Sequence, residues 1–325
     1  MKSIMLDQKK IKQYSSIGQR AAFGLAINEL AKQDDKLMVI TADVSTSAGL
    51  DRFKKNFSDR YVDVGISEQN LIGVSAGLAS SGFHVVSTTF APFQTLRCLE
   101  QIKLNSGYMN MKIIYVGLAS GICLGNLGFS HCSIEEVGSL RSIPNINILT
   151  PCDTTAVFSS LKLAIEAEQS TYIRLTGDAK IDLIYKEEPK FELGGFNKII
   201  DGNKVLIISS GAIIKESYEA TKELNSLGIS TALLDLYCLK PINEKKLINE
   251  ISKYNLIVTI EEHNIYGGVA SIISEIVSQN ELNIKVIPLG IKDKYSKSGS
   301  YEFLKKNFGI DKSSIINILT DHVKI

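Results

Sequence analysis

The sequence has no patterned cysteines. Cys98, Cys123, Cys132, Cys152 and Cys238 include no CxxC pair, and no Cys/His spacing suits a structural zinc site. An odd, scattered set of thiols is expected in a reducing compartment, so the sequence predicts a cytoplasmic protein. An excess of charge of one sign is also missing: 36 Lys and Arg face 35 Asp and Glu. That argues against nucleic-acid or membrane-surface binding through a basic field. No apolar run approaches membrane-spanning length, and the opening residues MKSIMLDQKKIKQYSS contain no secretory hydrophobic segment. Short-period repeats and low-complexity tracts are absent too. The composition is that of a soluble globular protein, and 325 residues suffice for two ordinary domains.

Strand-like and helix-like segments alternate through the chain, which predicts an α/β protein of two doubly wound, mainly parallel-sheet domains. Residues 1–15 read as a polar arm, loosely ordered or lying on a partner. Residues 16–180 form the first domain, 181–200 a mixed, charged linker, and 201–325 the second domain. The stretch 61–104 organises the first domain. A short strand, 61–64, ends at Gly65, and a turn through Ile66 and Ser67 brings Glu68 to the start of a helix rich in Gly and Ala. Such a helix is costly in propensity and makes sense where another helix must approach closely. A second strand, 83–88, leads to Thr89-Phe90-Ala91-Pro92-Phe93. Ligands in α/β sheets bind beyond the carboxyl ends of strands, where Glu68 and this aromatic pair fall. Taken alone, Glu68 reads as a helix cap favoured by the dipole; an aromatic pair is commonly plain core, but the place of these two just beyond a strand end favours a pocket. Two further polar stretches follow strands: Ala42 to Gly49, and a Gly-rich loop over 117–133 that contains His131. Loops of that length inside a compact domain are commonly functional.

The order strand, G-I-x-E, small-residue helix, strand, T-F-x-x-F resembles the pyrimidine-binding domain of the thiamine-diphosphate enzymes of the transketolase family. The later segments KVLIISSGAIIKESYEATKEL, LLDLYCLKPIN and VTIEEHNIYGGVASII resemble that family's C-terminal domain. The resemblance implies that Glu68 bonds the N1′ atom of the coenzyme pyrimidine and drives its imino tautomer. Such a carboxyl should be buried, with a raised affinity for its proton. It further implies that Phe90 and Phe93 pack around the pyrimidine, Phe90 by stacking, and that Leu96 stands where the family has a third aromatic. Asp43, Val44 and Ser47 match a turn approaching the thiazolium, although Ser47 reads equally as a helix cap. Arg20, His131 and Arg174 match positions that bind a substrate's phosphate or hydroxyls, His131 with a catalytic part. Glu261, Glu262 and His263 match a segment used in packing.

The match has gaps. Gly117-Leu118-Ala119 and Gly125-Asn126-Leu127-Gly128 replace the polar groups that contact a sugar phosphate in transketolases, so the substrate is expected to differ from the usual pentose phosphate. The GDG motif and later Asn that hold the diphosphate through Mg²⁺ are missing, and Gly177-Asp178-Ala179 is the nearest approach. The resemblance therefore implies the C-terminal subunit of a split, two-chain transketolase. It would work in a heterotetramer with an N-terminal subunit, binding thiamine diphosphate and Mg²⁺ across the seam and acting on sugar-like substrates. Two alternatives remain at this point. The beta subunit of a 2-oxo-acid dehydrogenase has the same domain order, but it should show a GGVF-like segment and an HSQ-type loop ending, where this chain has ADVSTSAGL and FSHCSIEE. A catalytically silent regulatory paralogue is the other.

Overall fold

The computed structural model describes residues 6–176 and 182–322. Among the described residues twelve strands run in chain order: β1 (Leu37–Thr41), β2 (Tyr61–Asp63), β3 (His84–Phe90), β4 (Ile113–Ser120), β5 (Ile146–Leu149), β6 (Ser170–Thr176), β7 (Asn197–Ile200), β8 (Val205–Ser209), β9 (Thr231–Asp235), β10 (Cys238–Lys240), β11 (Leu256–Asn264) and β12 (Lys285–Ile291). Two sheets result, ordered β10-β5-β6-β4-β3-β1-β2 and β12-β11-β8-β9-β7. All pairings are parallel except β10 with β5 and β7 with β9, one at an edge of each sheet. The residues of β1 and β4 are buried throughout. Such continuous apolar runs are what a parallel sheet covered on both faces requires. One hydrophobic cluster passes from Leu71, Tyr115 and Ile146 of the first unit to Leu206, Leu234 and Ile273 of the second, so the two units share a core.

Four features differ from the sequence reading, each because packing across the chain overrides local composition. The arm folds onto its own chain from Leu6 onward: helix Gln8–Tyr14 is capped by Asp7 and buries Ile11 and Tyr14. The Tyr14 ring meets Phe158 edge-on at 6.4 Å, and its carbonyl accepts from Thr154 Oγ1. Residues 197–200, read as linker, form β7 and complete the second sheet. The three-residue strand β10, unforeseen in the sequence, returns from the second unit to pair with β5 in the first sheet. Residues 117–120 of the Gly-rich stretch extend β4. Among the described residues no helix is long and apolar enough to cross a membrane.

Candidate active site

Because β2, β1, β3, β4 and β6 run parallel as neighbours, their carboxyl ends share one edge of the first sheet. Gly65, at φ +71°, turns the chain out of the β2 end. Ser67 then starts helix Glu68–Ser80 while donating its hydroxyl to the Val64 carbonyl at 2.8 Å. The helix buries Leu71, Ile72, Ser75 and Ala76. Gly73 and Gly77 are different: a Cβ at either would meet nothing within 4 Å. The close helix approach that the small residues suggested is therefore absent within this chain at those two positions.

Glu68 is only 6 % exposed. Its Oε1 accepts from Arg97 Nη1 at 2.7 Å, and the Arg97 guanidinium lies 4.0 Å from the centre of the Phe93 ring. Phe93 meets His131 edge-on at 5.3 Å, while Phe90 lies 6.5 Å from Phe93 and 6.4 Å from His131. Four of the residues singled out in the sequence, Glu68, Phe90, Phe93 and His131, thus gather around Arg97 and Phe93. The His131 Nδ1 is 3.1 Å from Ser130 Oγ. Leu96 is exposed beside this group in the chain.

The Ala42–Gly49 turn stands next to Glu68's turn because Asp63 ties the two together. Its Oδ1 accepts from the backbone N–H of Asp43 (3.0 Å) and of Gly65 (2.9 Å), and its Oδ2 from Thr41 and Tyr61 hydroxyls. Burial opposes a charge on Asp63, but these four bonds outweigh it and hold the carboxyl below its usual range. Asp43 is exposed at φ +56°, Ser47 is exposed, and Val44 packs into the core of the first unit. Arg20 lies in the first turn of helix Gln19–Leu30, and its carbonyl lies against Gly49 in the same turn as Asp43.

Arg174 stands elsewhere. It is 3 % exposed near the end of β6, where its guanidinium is committed to protein acceptors. Nε pairs with Glu136, and Nη2 donates to the Glu262 (2.8 Å) and Ser133 (3.3 Å) carbonyls. A cation this deeply buried needs such partners. Here they join the end of the Gly-rich loop to β11 of the second unit. The neighbouring Glu261 accepts from the Val269 and Ala270 N–H groups, capping helix Val269–Gln279, and burial raises its carboxyl to about 7. His263 is buried with its Nδ1 at 2.7 Å from the Asn264 carbonyl. Burial pushes its pKa down.

Two residues of the site went unread in the sequence. Asp63 could have been found as the polar end of a strand followed by Val-Gly. Nothing in the pattern marks Arg97, whose position depends on how two helical segments meet. The chemistry of the cluster fits a flat heteroaromatic ring: a nearly sealed carboxylate for its edge and aromatic faces beside it. Among the described residues no group of three or more His, Cys, Asp or Glu is arranged to hold a metal. Gly177, Asp178 and Ala179 lie outside the described residues.

Comparison with known proteins agrees with this geometry. The transketolase pyrimidine-binding domain family matches residues 15–179, and the transketolase C-terminal domain family matches residues 194–315. An apulose-4-phosphate transketolase subunit from Phocaeicola vulgatus is 32 % identical over 308 residues, 95 % of this chain and 98 % of that protein. A putative transketolase C-terminal section from Methanocaldococcus jannaschii is also 32 % identical, over 94 % of this chain and 96 % of its own length. A solved split-gene transketolase, described as an inactive beta4 tetramer, superposes with a TM-score of 0.85 at 30 % identity, covering 94 % of this chain and 98 % of that one. The chain belongs to the transketolase family, whose members are transferases, and has the domain make-up of a split transketolase's C-terminal subunit.

Proposed function

We propose that this chain supplies the pyrimidine half of a thiamine-diphosphate site and acts only when a separate N-terminal subunit supplies the diphosphate half with its Mg²⁺. The reaction is transfer of a two-carbon ketol unit between sugar-like substrates, in a cytoplasmic heterotetramer of two copies of each subunit. Bound there, thiamine diphosphate would supply the carbanion that attacks the donor ketose. Glu68 would bond the ring edge and keep a proton in place, Phe90 and Phe93 would fix the plane of the ring, and His131 would reach the substrate's hydroxyls. Asp63 would set the two turns from which Glu68, Asp43 and Ser47 approach, with Arg20 at the rim of the second.

The observation that carries this reading is the buried Glu68 carboxylate at a strand-to-helix turn, beside Phe93 and His131. The inactive beta4 assembly of the solved relative supports dependence on a partner. The test is to co-purify the chain with its partner and assay ketol transfer over a donor and acceptor panel. Wild type with partner should turn over, the isolated chain should not, and Glu68→Gln in the complex should lose about 10²- to 10⁴-fold. Turnover by the isolated chain, or an unaffected Glu68→Gln complex, would contradict the proposal.

A further inference from the structure

Arg97 is not among the residues given a role in that chemistry, yet it touches two of them. Its Nη1 donates to Glu68 Oε1 at 2.7 Å while its guanidinium carbon lies 4.0 Å from the centre of the Phe93 ring. A guanidinium is flat, carries N–H donors in its plane, and stacks on aromatic faces. An aminopyrimidine would need the same two surfaces here, an edge for the carboxylate and a face for the ring. One side chain of this protein already meets both.

The exposures are unequal: the Arg97 side chain is 44 % exposed and that of Glu68 is 7 %. The cation thus reaches in from the solvent side to a carboxylate that is nearly sealed. A buried carboxylate without a counter-charge is costly, which gives the contact its physical reason. Arg97 lies in the short helical turn Leu96–Cys98, and its own carbonyl accepts from Gln69 Nε2 at 3.3 Å. The backbone is therefore tied to the start of Glu68's helix, and only the side chain has to swing for the contact to break.

We propose that Arg97 is an internal stand-in for the pyrimidine ring, an affinity-setting residue that must release Glu68 and Phe93 before the coenzyme seats. The inference rests on the coenzyme reading above and goes one step further. On exchange, the ring replaces one bond to Glu68 and one aromatic contact, and the arginine returns to the water it already half occupies. An ion pair and a cation–π contact at exposed sites each weigh about two- to sixfold in an equilibrium. Their joint loss should therefore shift coenzyme affinity by about five- to thirtyfold. The opposite role, a clamp that holds Glu68 in its working rotamer, would shift affinity the other way.

The sign is measurable. Isothermal titration of thiamine diphosphate into the co-purified two-chain complex would compare wild type with Arg97→Ala and Arg97→Gln, after melting curves show that both variants fold. The expected result is a Kd about five- to thirtyfold lower in Arg97→Ala. Arg97→Gln, which keeps a hydrogen-bond donor without the charge, should fall between the two. Added salt should narrow the gap, because it screens the ion pair in wild type alone. A Kd that is unchanged or higher in both variants overturns the stand-in while leaving the coenzyme reading intact. A complex in which no form binds thiamine diphosphate overturns both.

Discussion

Asp235 shows how a single residue ties this fold to pH. It ends β9, fully buried, where Oδ2 accepts from the Tyr185 hydroxyl at 2.6 Å. Burial raises its carboxyl to about 7, with the Tyr185 bond pulling the other way and the charge of Asp153 adding to the rise. The folded state therefore holds a proton that the unfolded chain gives up near the ordinary carboxylate value. Stability from this group is fully present below that unfolded value and is lost as pH rises through about 7. Thermal melts from pH 4 to pH 8 should fall over this window, and Glu261, raised to about 7 as well, should add to the slope. Asp235→Asn, which carries the neutral form at every pH, should flatten the fall and gain about 2–4 kcal/mol at pH 8. Equal slopes for wild type and variant would show that Asp235 titrates normally. Neither value was readable in the sequence, where Asp235 is one aspartate after an apolar strand, because its burial depends on Tyr185 closing over it.

Among the elements, the helix Gln19–Leu30 and the turn that follows β1 are held by a contact that one methyl group would abolish. A Cβ on Gly24 would lie 2.0 Å from the Gly49 carbonyl oxygen, and Gly49 itself adopts φ +71° against the Arg20 carbonyl. Gly24→Ala should therefore push the helix off the turn, costing about 1–3 kcal/mol despite alanine's better helix propensity. The turn carries Asp43 and Ser47, so coenzyme binding in the complex should weaken along with the melting temperature. A variant more stable than wild type would mean that the helix shifts freely. This contact also marks how far the elements could be read in advance. The alternation of apolar runs located ten of the twelve strands, and the turn residues Gly65 and Ser67 located the Glu68 helix. The edge strands β7 and β10 and the helix Gln8–Tyr14 were missed or misread, because each is short and owes its stability to neighbours far away in the chain. The cluster of Glu68, Phe90, Phe93 and His131 was legible through a resemblance. The angle at which Arg97 enters it was not.

At the scale of the molecule, the two units are joined by charged groups as well as apolar ones. Arg174 and Glu136 are 3 % and 0 % exposed, and Arg174 also binds the Glu262 carbonyl on β11 at 2.8 Å. Arg141 adds a surface contact, donating to the Gly267 carbonyl at 3.0 Å and pairing with Glu275. Removing one member of a buried pair strands the other, so Arg174→Met should cost about 3–5 kcal/mol. The double variant Arg174→Met with Glu136→Met removes both charges together and should recover much of that loss, since apolar groups of similar volume replace a buried pair at little cost. Denaturant unfolding of wild type, Arg174→Met, Glu136→Met and the double variant would measure the coupling directly. The same set decides what Arg174 does in the assembled enzyme. If it is a strut, the double variant, once refolded to near wild-type stability, should keep the acceptor KM within about threefold, since a change that small lies below one hydrogen bond's worth of binding. A KM that rises by orders of magnitude in a stable double variant would instead return the guanidinium to the substrate, and would require the second unit to swing away from β6 when substrate binds.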